Sequence, residues 1–212
     1  MKNLRILLLL FLLPMLFNCE KNTTSLESKP IKKLTFKFEA KVDNINGAIP
    51  FQMQIGDTII GSFSFDPNIE GINTQYDYSK IYPQTSVNGE VSFTINDVVF
   101  IANIDSFPQY EIEIQNNGGF PNECDEFIWC AGFPDIEQAF GQDNIQTWFR
   151  LIDYSGNSFQ NLDMPSDLEL SKFEYKRMWV VASKYNELDI DDWHFEATIT
   201  SLNLETVIYR NN

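Results

Sequence analysis

The amino-acid sequence predicts an all-β fold, an antiparallel β-sandwich of the jelly-roll-like kind with little helix. Three observations support this prediction. Apolar and polar residues alternate with a period of two in most segments after residue 32, which is typical of strands that bury one face. Clusters of turn-forming residues, such as Asn46-Gly47 and Ser155-Gly156-Asn157, separate these segments. Only residues 134–140 favour a helix, and it is short.

The first half of this region contains four predicted strands. The second strand places Gly61 on its apolar face. The third and fourth strands are joined by Asn96-Asp97, a pair that tolerates positive φ, and therefore form a predicted hairpin. The alternating apolar residues of the first three strands are Leu34, Phe36, Phe38, Ala40 and Val42, then Ile59, Phe63 and Phe65, then Val91, Phe93 and Ile95.

The second half contains one alternating strand, two more continuously apolar strands and a final alternating strand. Residues 110–114 alternate with glutamate, whereas residues 148–152 and 173–181 indicate longer and more buried strands. In the last strand the single histidine, His194, lies on the polar face. We expect Trp148 and Trp193 in the core. The apolar face of the last strand consists of Trp193, Phe195, Ala197 and Ile199.

The N-terminus predicts export and a lipid anchor. Two cations precede an apolar segment that is too short to span a bilayer, and this pattern is typical of a secretory signal peptide. A cysteine follows directly and the sequence there resembles a lipobox, in which the thiol is acylated and the signal is cut before it. Ordinary secretion with cleavage elsewhere is the alternative. The four residues that carry the resemblance are Leu16, Phe17, Asn18 and Cys19.

The lipobox-like start, the polar stretch after it and the alternating strands beyond predict three parts of the chain. Residues 1–18 are a lipoprotein signal peptide, residues 19–31 a flexible polar tether, and residues 32–212 a single β-sandwich domain. Glu20 after Cys19 resembles lipoprotein sorting signals for the outer membrane. We therefore expect a protein of the cell envelope whose membrane contact is the lipid anchor, which would be stable because more than one acyl chain is buried.

The charge balance excludes one class of partner. The chain has a formal net charge of −15, and removal of Lys2 and Arg5 with the signal peptide would make it more negative by two. Nucleic acid is an unsuitable partner, because neutralising its phosphates requires clustered Lys and Arg side chains. The acidic surface itself indicates no more than a soluble exported domain.

The cysteines predict a disulfide and, with it, a binding loop. If Cys19 carries lipid, Cys124 and Cys130 remain as a pair in an oxidising compartment and are expected to form a disulfide. Zinc would require two further ligands. Trp129 and Phe127 lie within this loop, so we predict that they are presented to a glycan or a protein ligand. Packing of the loop onto the domain is the alternative.

Several motifs follow one another in a characteristic order along the predicted domain. Together with the last apolar strand, residues 199–202, they resemble an uncharacterised all-β domain that recurs in bacterial exported proteins, many of which carry a PEP-CTERM sorting tail. The resemblance implies the fold and export, and brings no catalytic residues; here a lipid anchor takes the place of the tail. The motif residues are Phe36 and Val42; Gly56, Asp57, Ile59, Gly61, Phe63, Phe65 and Asp66; Val91, Phe93, Ile95 and Phe100; Leu151, Asp153, Ser155 and Gly156; and Met164, Pro165, Leu168, Leu170 and Phe173.

The sequence offers few residues of the types that catalyse reactions. One histidine and no expected thiol leave Ser-His-Asp and Cys-His mechanisms unsupported, and a centre with several histidine ligands is impossible. Paired carboxylates remain: Glu187, Asp189 and Asp192 resemble the E-x-D-x-x-E signature of laminarinase-like retaining glycosidases, which hydrolyse glycosides with two carboxylates. The alternative is an acidic connection before the last strand.

A structural calcium ion is the one cofactor that the sequence allows. The acids just described, or Asp153 with Ser155 and Asn157, offer the oxygen ligands that calcium accepts, although fully solvated acids are the alternative. The sequence as a whole favours a non-catalytic binding or structural domain with a carbohydrate or protein ligand. A glycosidase-like hydrolase is the alternative from another class.

Overall fold

The structure is a computed structural model, which describes residues 31–85, 89–102, 110–118, 124–142, 144–183 and 193–210. The elements in these ranges are strands, one short α-helix and one turn of 3-10 helix. The strands are β1 Ile31–Gly47, β2 Thr58–Phe65, β3 Ile72–Asn73, β4 Ser79–Pro83, β5 Glu90–Ile95, β6 Val98–Ile101, β7 Glu111–Gln115, β8 Asp125–Gly132, β9 Asn144–Asp153, β10 Tyr175–Ser183 and β11 Trp193–Arg210; the helices are α1 Pro134–Phe140 and the 3-10 turn Leu170–Lys172.

All of these strands belong to one antiparallel sheet, which confirms the predicted all-β fold. The order across the sheet is β3-β4-β7-β8-β9-β10-β11-β1-β2-β5-β6. The first and last strands are neighbours: β1 pairs with β11 from the Ile31–Arg210 rung to the Gly47–Trp193 rung. On its other side β1 pairs with β2. The two longest strands therefore run side by side in the interior of the sheet.

The sheet curls so that distant strands face each other across one core. The ring of Phe63 in β2 lies 5.6 Å from that of Trp129 in β8 and 5.2 Å from that of Phe149 in β9, although three strands separate β2 from β9 in the sheet. Phe38 of β1 also meets Phe149 edge-on at 5.4 Å. The described strands thus form one continuous curled sheet, which differs from the two separate sheets implied by the predicted sandwich.

The alternation seen in the sequence sorts the side chains as predicted. In β1 the residues Leu34, Phe36, Phe38, Ala40 and Val42 are all buried, while Lys37 and Glu39 between them are exposed. The last strand likewise buries its predicted apolar face. Because burying apolar side chains is the dominant stabilising term in folding, this inner face fixes the register of the strands.

Two turn-related positions show why the sequence requires its particular residues. A Cβ atom on Gly61 would come within 2.5 Å of the Phe38 ring, so glycine allows β1 and β2 to pack their inner faces. Asn96 has a φ of +51°, in the left-handed region, and connects β5 to β6 as the predicted hairpin. The predicted helix is confirmed as α1, whereas β10 begins at Tyr175 and excludes Phe173, which follows the 3-10 turn.

Candidate functional site

The predicted disulfide between Cys124 and Cys130 is wrong. Cys124 directly precedes β8 and Cys130 lies within it, and the two are not joined. Six residues of extended strand span about 20 Å, whereas a disulfide needs Cα atoms roughly 4.4–6.8 Å apart. The Cys130 thiol donates instead to Glu111 on the neighbouring strand, at 3.7 Å. Burial raises the pKa of Cys130 to about 12, with a further contribution from Glu111, so the thiol stays protonated.

The prediction that Trp129 and Phe127 are presented to a ligand is also wrong. Both side chains have no exposed surface and lie in the core. Trp129 stacks on Phe149 at 5.2 Å, with the two rings nearly parallel. The segment predicted to be a disulfide loop is an interior strand, β8, and its odd-numbered residues point inward. These two aromatics therefore stabilise the fold and are inaccessible to a ligand.

A different set of aromatic side chains lies on the outer side of the same region. Trp148 was predicted to be in the core, but its neighbours Thr147 and Phe149 are the buried residues and Trp148 is partly exposed on the opposite side of β9. In β10, Trp179 is partly exposed in the same way. We call this surface the aromatic face. Its members, all partly exposed, are Ile128, Trp148, Tyr175, Trp179 and Val181.

The pairing of the strands makes the aromatic face continuous. Trp148 and Trp179 are direct cross-strand partners, and such partners have Cβ atoms about 4.5–5.5 Å apart. The Tyr175 ring lies 5.9 Å from that of Trp179, at an interplanar angle of 32°. Ile128 of β8 is opposite Arg150 of β9, which extends the surface to a third strand. Three aromatic side chains, Trp148, Tyr175 and Trp179, therefore lie on the outside of β9 and β10.

Two arginines, which are cross-strand partners, lie within the aromatic face between Tyr175 and Trp179 and are held by carboxylates. Arg150 binds Glu126 with both ends of its guanidinium, at 2.6 and 3.1 Å. Arg177 binds Glu196 at 2.6 Å and Asp43 at 2.5 Å. The hydrogen bond from Arg177 lowers the pKa of Glu196 below its usual value despite partial burial. Contacts in which one guanidinium makes two hydrogen bonds fix the side-chain geometry. The two arginines are therefore held in place by the protein itself.

This arrangement suits a ligand that has both apolar and hydroxyl-bearing sides. Aromatic side chains offer large rigid surfaces with little conformational entropy to lose. Binding sites combine such surfaces with a few placed polar groups that set orientation. A sugar ring has a face of C–H bonds that could lie on Trp148 or Trp179, and its hydroxyls could reach the neighbouring carboxylates and guanidinium groups.

Next to this face, two buried carboxylates tie together the chain at the ends of β8 and β9. Asp153 accepts four hydrogen bonds, from the backbone and hydroxyl of Ser155, the backbone of Asn157 and the hydroxyl of Ser158. Burial alone would raise the pKa of Asp153, but these bonds outweigh it and hold the pKa at about 2. Its cross-strand partner Asp125 accepts bonds from the backbone N–H groups of Asn117 and Phe159.

At Asp153, one of the places where the sequence predicts a calcium ion, the carboxylate is engaged by hydrogen bonds from the chain. A carboxylate has about four lone-pair sites, and the four donors from residues 155–158 occupy them. Ser155 and Asn157 thus serve as hydrogen-bond donors to the aspartate, whereas calcium would need their oxygens as ligands. Within the described ranges, no group of three His, Cys, Asp or Glu side chains could hold a metal ion.

A second surface feature is a cleft of about 710 Å³ between residues 51–54 and the turn at Asn96. The carboxylate of Asp57 accepts bonds from the Asn96 side chain and from the backbone of Gln54, both at 2.9 Å. These bonds, the one from Asn96 foremost, lower the pKa of Asp57. Asn96 also donates to the carbonyl of Gln52. The polar groups of the cleft therefore hold two turns together, which accounts for their presence without a ligand.

The remaining predicted residues divide into two groups. The possible glycosidase acids Glu187, Asp189 and Asp192 lie outside the described residues, as does the predicted lipidation site Cys19. His194 lies on the outer side of β11 and is partly exposed, next to the buried Trp193. Within the described part of the chain, no helix is both long and apolar enough to cross a membrane.

Comparison with known proteins assigns no function to this chain. The chain matches no known protein family, and no curated protein or solved structure is significantly similar to it. Sequence reasoning missed the aromatic face because β9 and β10 carry apolar residues on both sides. The one available signal was that Trp148 directly precedes Phe149 in the sequence, since adjacent residues of a strand cannot both point into the core.

Proposed function

We propose that this protein is a lipid-anchored protein of the cell envelope whose β domain binds a carbohydrate on the aromatic face, without catalysis. The observation that carries the proposal is the outward position of Trp148, Trp179 and Tyr175 on neighbouring strands. In an antiparallel sheet with one buried face, the other face is ordinarily polar. Contiguous apolar surface on a soluble domain usually marks a binding site.

The charge of the protein narrows the class of carbohydrate. The formal net charge is −15, and the two arginines within the aromatic face are already paired with Glu126, Glu196 and Asp43. An anionic polysaccharide would be repelled by this surface. The proposed ligand is therefore a neutral glycan whose sugar rings stack on the two tryptophans.

The proposed attachment to the envelope is supported by the lipobox-like residues and by the polar tether that follows them. In this arrangement Cys19 carries the lipid and residues 20–30 separate it from the domain. Mass spectrometry of the N-terminal peptide from the membrane fraction would detect the acylated cysteine; an unmodified Cys19 would refute the anchor while leaving glycan binding to be tested separately.

The binding proposal is tested by removing one ring at a time. We expect Trp179→Ala and Trp148→Ala each to weaken binding to a neutral polysaccharide by about tenfold or more, as is usual for central aromatic residues of an interface. Affinity electrophoresis in gels that contain a panel of neutral and anionic polysaccharides measures this directly. The matched control is Ile60→Ala, which removes an apolar side chain that is 58 % exposed on the outer side of β2.

Three outcomes would overturn the proposal. The wild-type protein could fail to bind any neutral glycan in the panel. The Ile60→Ala control could weaken binding as much as the tryptophan variants do. Alternatively, the tryptophan variants could bind glycans normally but lose a protein partner, which would make the aromatic face a protein interface. Far-ultraviolet circular dichroism of each variant confirms that the sheet is intact.

A further inference from the structure

The two ends of the sheet differ in how they meet solvent. At one end the edge strand β3 has only two residues, and β4 beside it carries Lys80 and Pro83. Short strands, lysine and proline are devices by which proteins keep an edge from pairing with another chain. At the other end the edge strand is β6, which has neither lysine nor proline and consists of two valines, a phenylalanine and an isoleucine. Among the described residues, no strand pairs with the outer edge of β6.

The pairing of β6 with β5 shows which backbone groups of this edge are unused. The backbone N–H of Ala102 donates to β5, at 2.9 Å. Successive residues of a strand direct their N–H and C=O groups to opposite sides, so Val98 and Phe100 also face β5. The N–H and C=O groups of Val99 and Ile101 therefore point away from the sheet. Within the described ranges these groups have no backbone partner.

The same two residues expose apolar side chains. Val99 is 49 % exposed and Ile101 is 57 % exposed. The residue between them is fully buried: Phe100 stacks on Phe93 at 4.4 Å and meets Phe133 edge-on at 5.6 Å. The core thus holds the strand in place, while its outer edge offers both unpaired backbone groups and apolar surface. Such an edge favours pairing with another strand.

The charge pattern favours a second copy of the chain as that partner. The formal net charge is −15, so two copies repel each other over most of their surface. Residues 98–102 contain no charged side chain. If two β6 strands pair antiparallel about Phe100, the two Asp97 residues lie about 20 Å apart along the strands, which is about twice the distance over which salt screens charges. Two acidic copies can therefore meet here, whereas a strongly charged partner would find no complementary charge.

We infer that the protein forms a two-fold symmetric dimer in which β6 pairs antiparallel with β6 of a second copy. In this register Val99 lies opposite Ile101 of the second copy, and Ile101 lies opposite its Val99. Both pairs exchange backbone hydrogen bonds, so every unpaired N–H and C=O group of these residues is satisfied, and the facing side chains cover each other. The inference is independent of the aromatic face, which lies on β8, β9 and β10, and of acylation of Cys19.

Amide exchange followed by NMR tests the pairing residue by residue. Residues 20–212 without lipid retain every residue of the described core. Small interfaces associate weakly, and we expect a dissociation constant of about 100 µM. By mass action, the amides of Val99 and Ile101 should exchange about threefold more slowly at about 1 mM protein than at about 50 µM. The amide of Phe100, which already faces β5, should not change. Sedimentation velocity over the same range should show monomer converting to dimer.

Variants with charges on this edge distinguish the pairing from general association. Val99→Lys with Ile101→Lys, and Val99→Glu with Ile101→Glu, should each abolish dimerisation, because like charges then face each other across the pair. An equimolar mixture of the two variants should restore it, since each lysine lies opposite a glutamate. The matched control is Ile72→Lys with Ile208→Lys, which changes the net charge as much as the lysine pair does, at exposed positions elsewhere. It should dimerise like the wild type.

Any of three results contradicts the inference. The wild-type protein could stay monomeric at the highest concentration, which would leave the edge to a strand of another protein. The control variant could lose dimerisation as fully as the lysine pair does. Finally, the mixture of lysine and glutamate variants could stay monomeric although circular dichroism shows that both are folded, which would exclude pairing through β6.

Discussion

The outer side of the sheet has two regions of opposite character over one shared core. On β1 the outward residues are Lys33, Thr35, Lys37, Glu39 and Lys41, which we call the charged face. On β8, β9 and β10 five of the outward residues form the aromatic face. Behind both regions the inner residues are alike, since Phe38 of β1 and Phe149 of β9 meet within the core.

The difference shows which parts of the surface the fold requires. The charged face demonstrates that a strand of this sheet can carry ordinary polar residues outward while its inner residues stay buried. The fold therefore has no need of tryptophan on the outer side of β9 and β10. Exposed aromatic surface increases the tendency to aggregate, so its presence there supports the proposed binding role.

The strongest test compares an inner with an outer tryptophan. Trp129→Ala should lower the free energy of unfolding by about 3–5 kcal/mol, because it leaves a cavity among Phe63, Phe149 and Tyr110. Trp179→Ala should lower it by about 1 kcal/mol or less, as for a partly exposed residue. Urea unfolding of the two variants measures both effects. Equal losses would mean that the aromatic face is a packing surface and would remove the distinction between the two outer regions.

The second test concerns the support at the end of β9. Asp153→Asn keeps the size of the side chain but removes its charge, and should cost about 1–3 kcal/mol near neutral pH because four donors lose an ionised acceptor. The folded pKa of Asp153 is about 2 and lies below the ordinary value of 3.8. The stabilisation is therefore fully present above pH 3.8 and is lost as the pH falls towards 2.

Urea midpoints of wild type and Asp153→Asn, measured from neutral to acidic pH, check this expectation. The two curves should be well separated above about pH 4 and converge towards pH 2. Asp167→Asn is the matched control, because Asp167 is exposed and should give little separation at any pH. A constant difference across the whole range would show that the charge of Asp153 is not what stabilises the turn.

The smallest expected effect is at the ion pairs of Arg177 within the aromatic face. Arg177 is partly exposed and forms ion pairs with Asp43 and Glu196, so Arg177→Met should lower stability by only about 1 kcal/mol or less. Lys37→Met, on the charged face, should change it by a few tenths of a kcal/mol. A double-mutant cycle between Arg177 and Glu196 measures the coupling. A coupling energy much larger than about 1 kcal/mol would mean that these ion pairs stabilise the sheet. It would weaken their proposed role in orienting a ligand.

Much of the fold could be predicted because strands with one polar face reveal their orientation. In β1 and β5 the alternation identified each buried residue, in β11 it identified those from Trp193 to Ile199 but not Leu202, and Asn96-Asp97 identified the hairpin between β5 and β6. These predictions depend only on local pattern and turn chemistry. The curl of the sheet was not predictable in the same way, because it depends on contacts such as Phe63 with Trp129 between distant segments.

The candidate site was harder to predict because local pattern is ambiguous where both faces are apolar. In β8 the consecutive residues Phe127, Ile128 and Trp129 allow either face to be the inner one, and the burial of Phe127 and Trp129 is decided by the facing strands. The disulfide was inferred from the number of cysteines and from the expected compartment. Neither gives the distance between Cys124 and Cys130, which extended chain keeps too far apart to bond. Trp129 and Trp148 consequently exchanged their expected positions.

The pairing of β1 with β11 has a consequence for how the protein is made. A chain that is synthesised or exported from its N-terminus delivers β1 first and its partner β11 last. Until the final residues arrive, one edge of β1 has no neighbour, and contacts so distant in sequence are slow to form. A chain cut short before residue 193 would expose that edge to other molecules and invite aggregation. Completion of the sheet around β1 therefore requires the C-terminal strand.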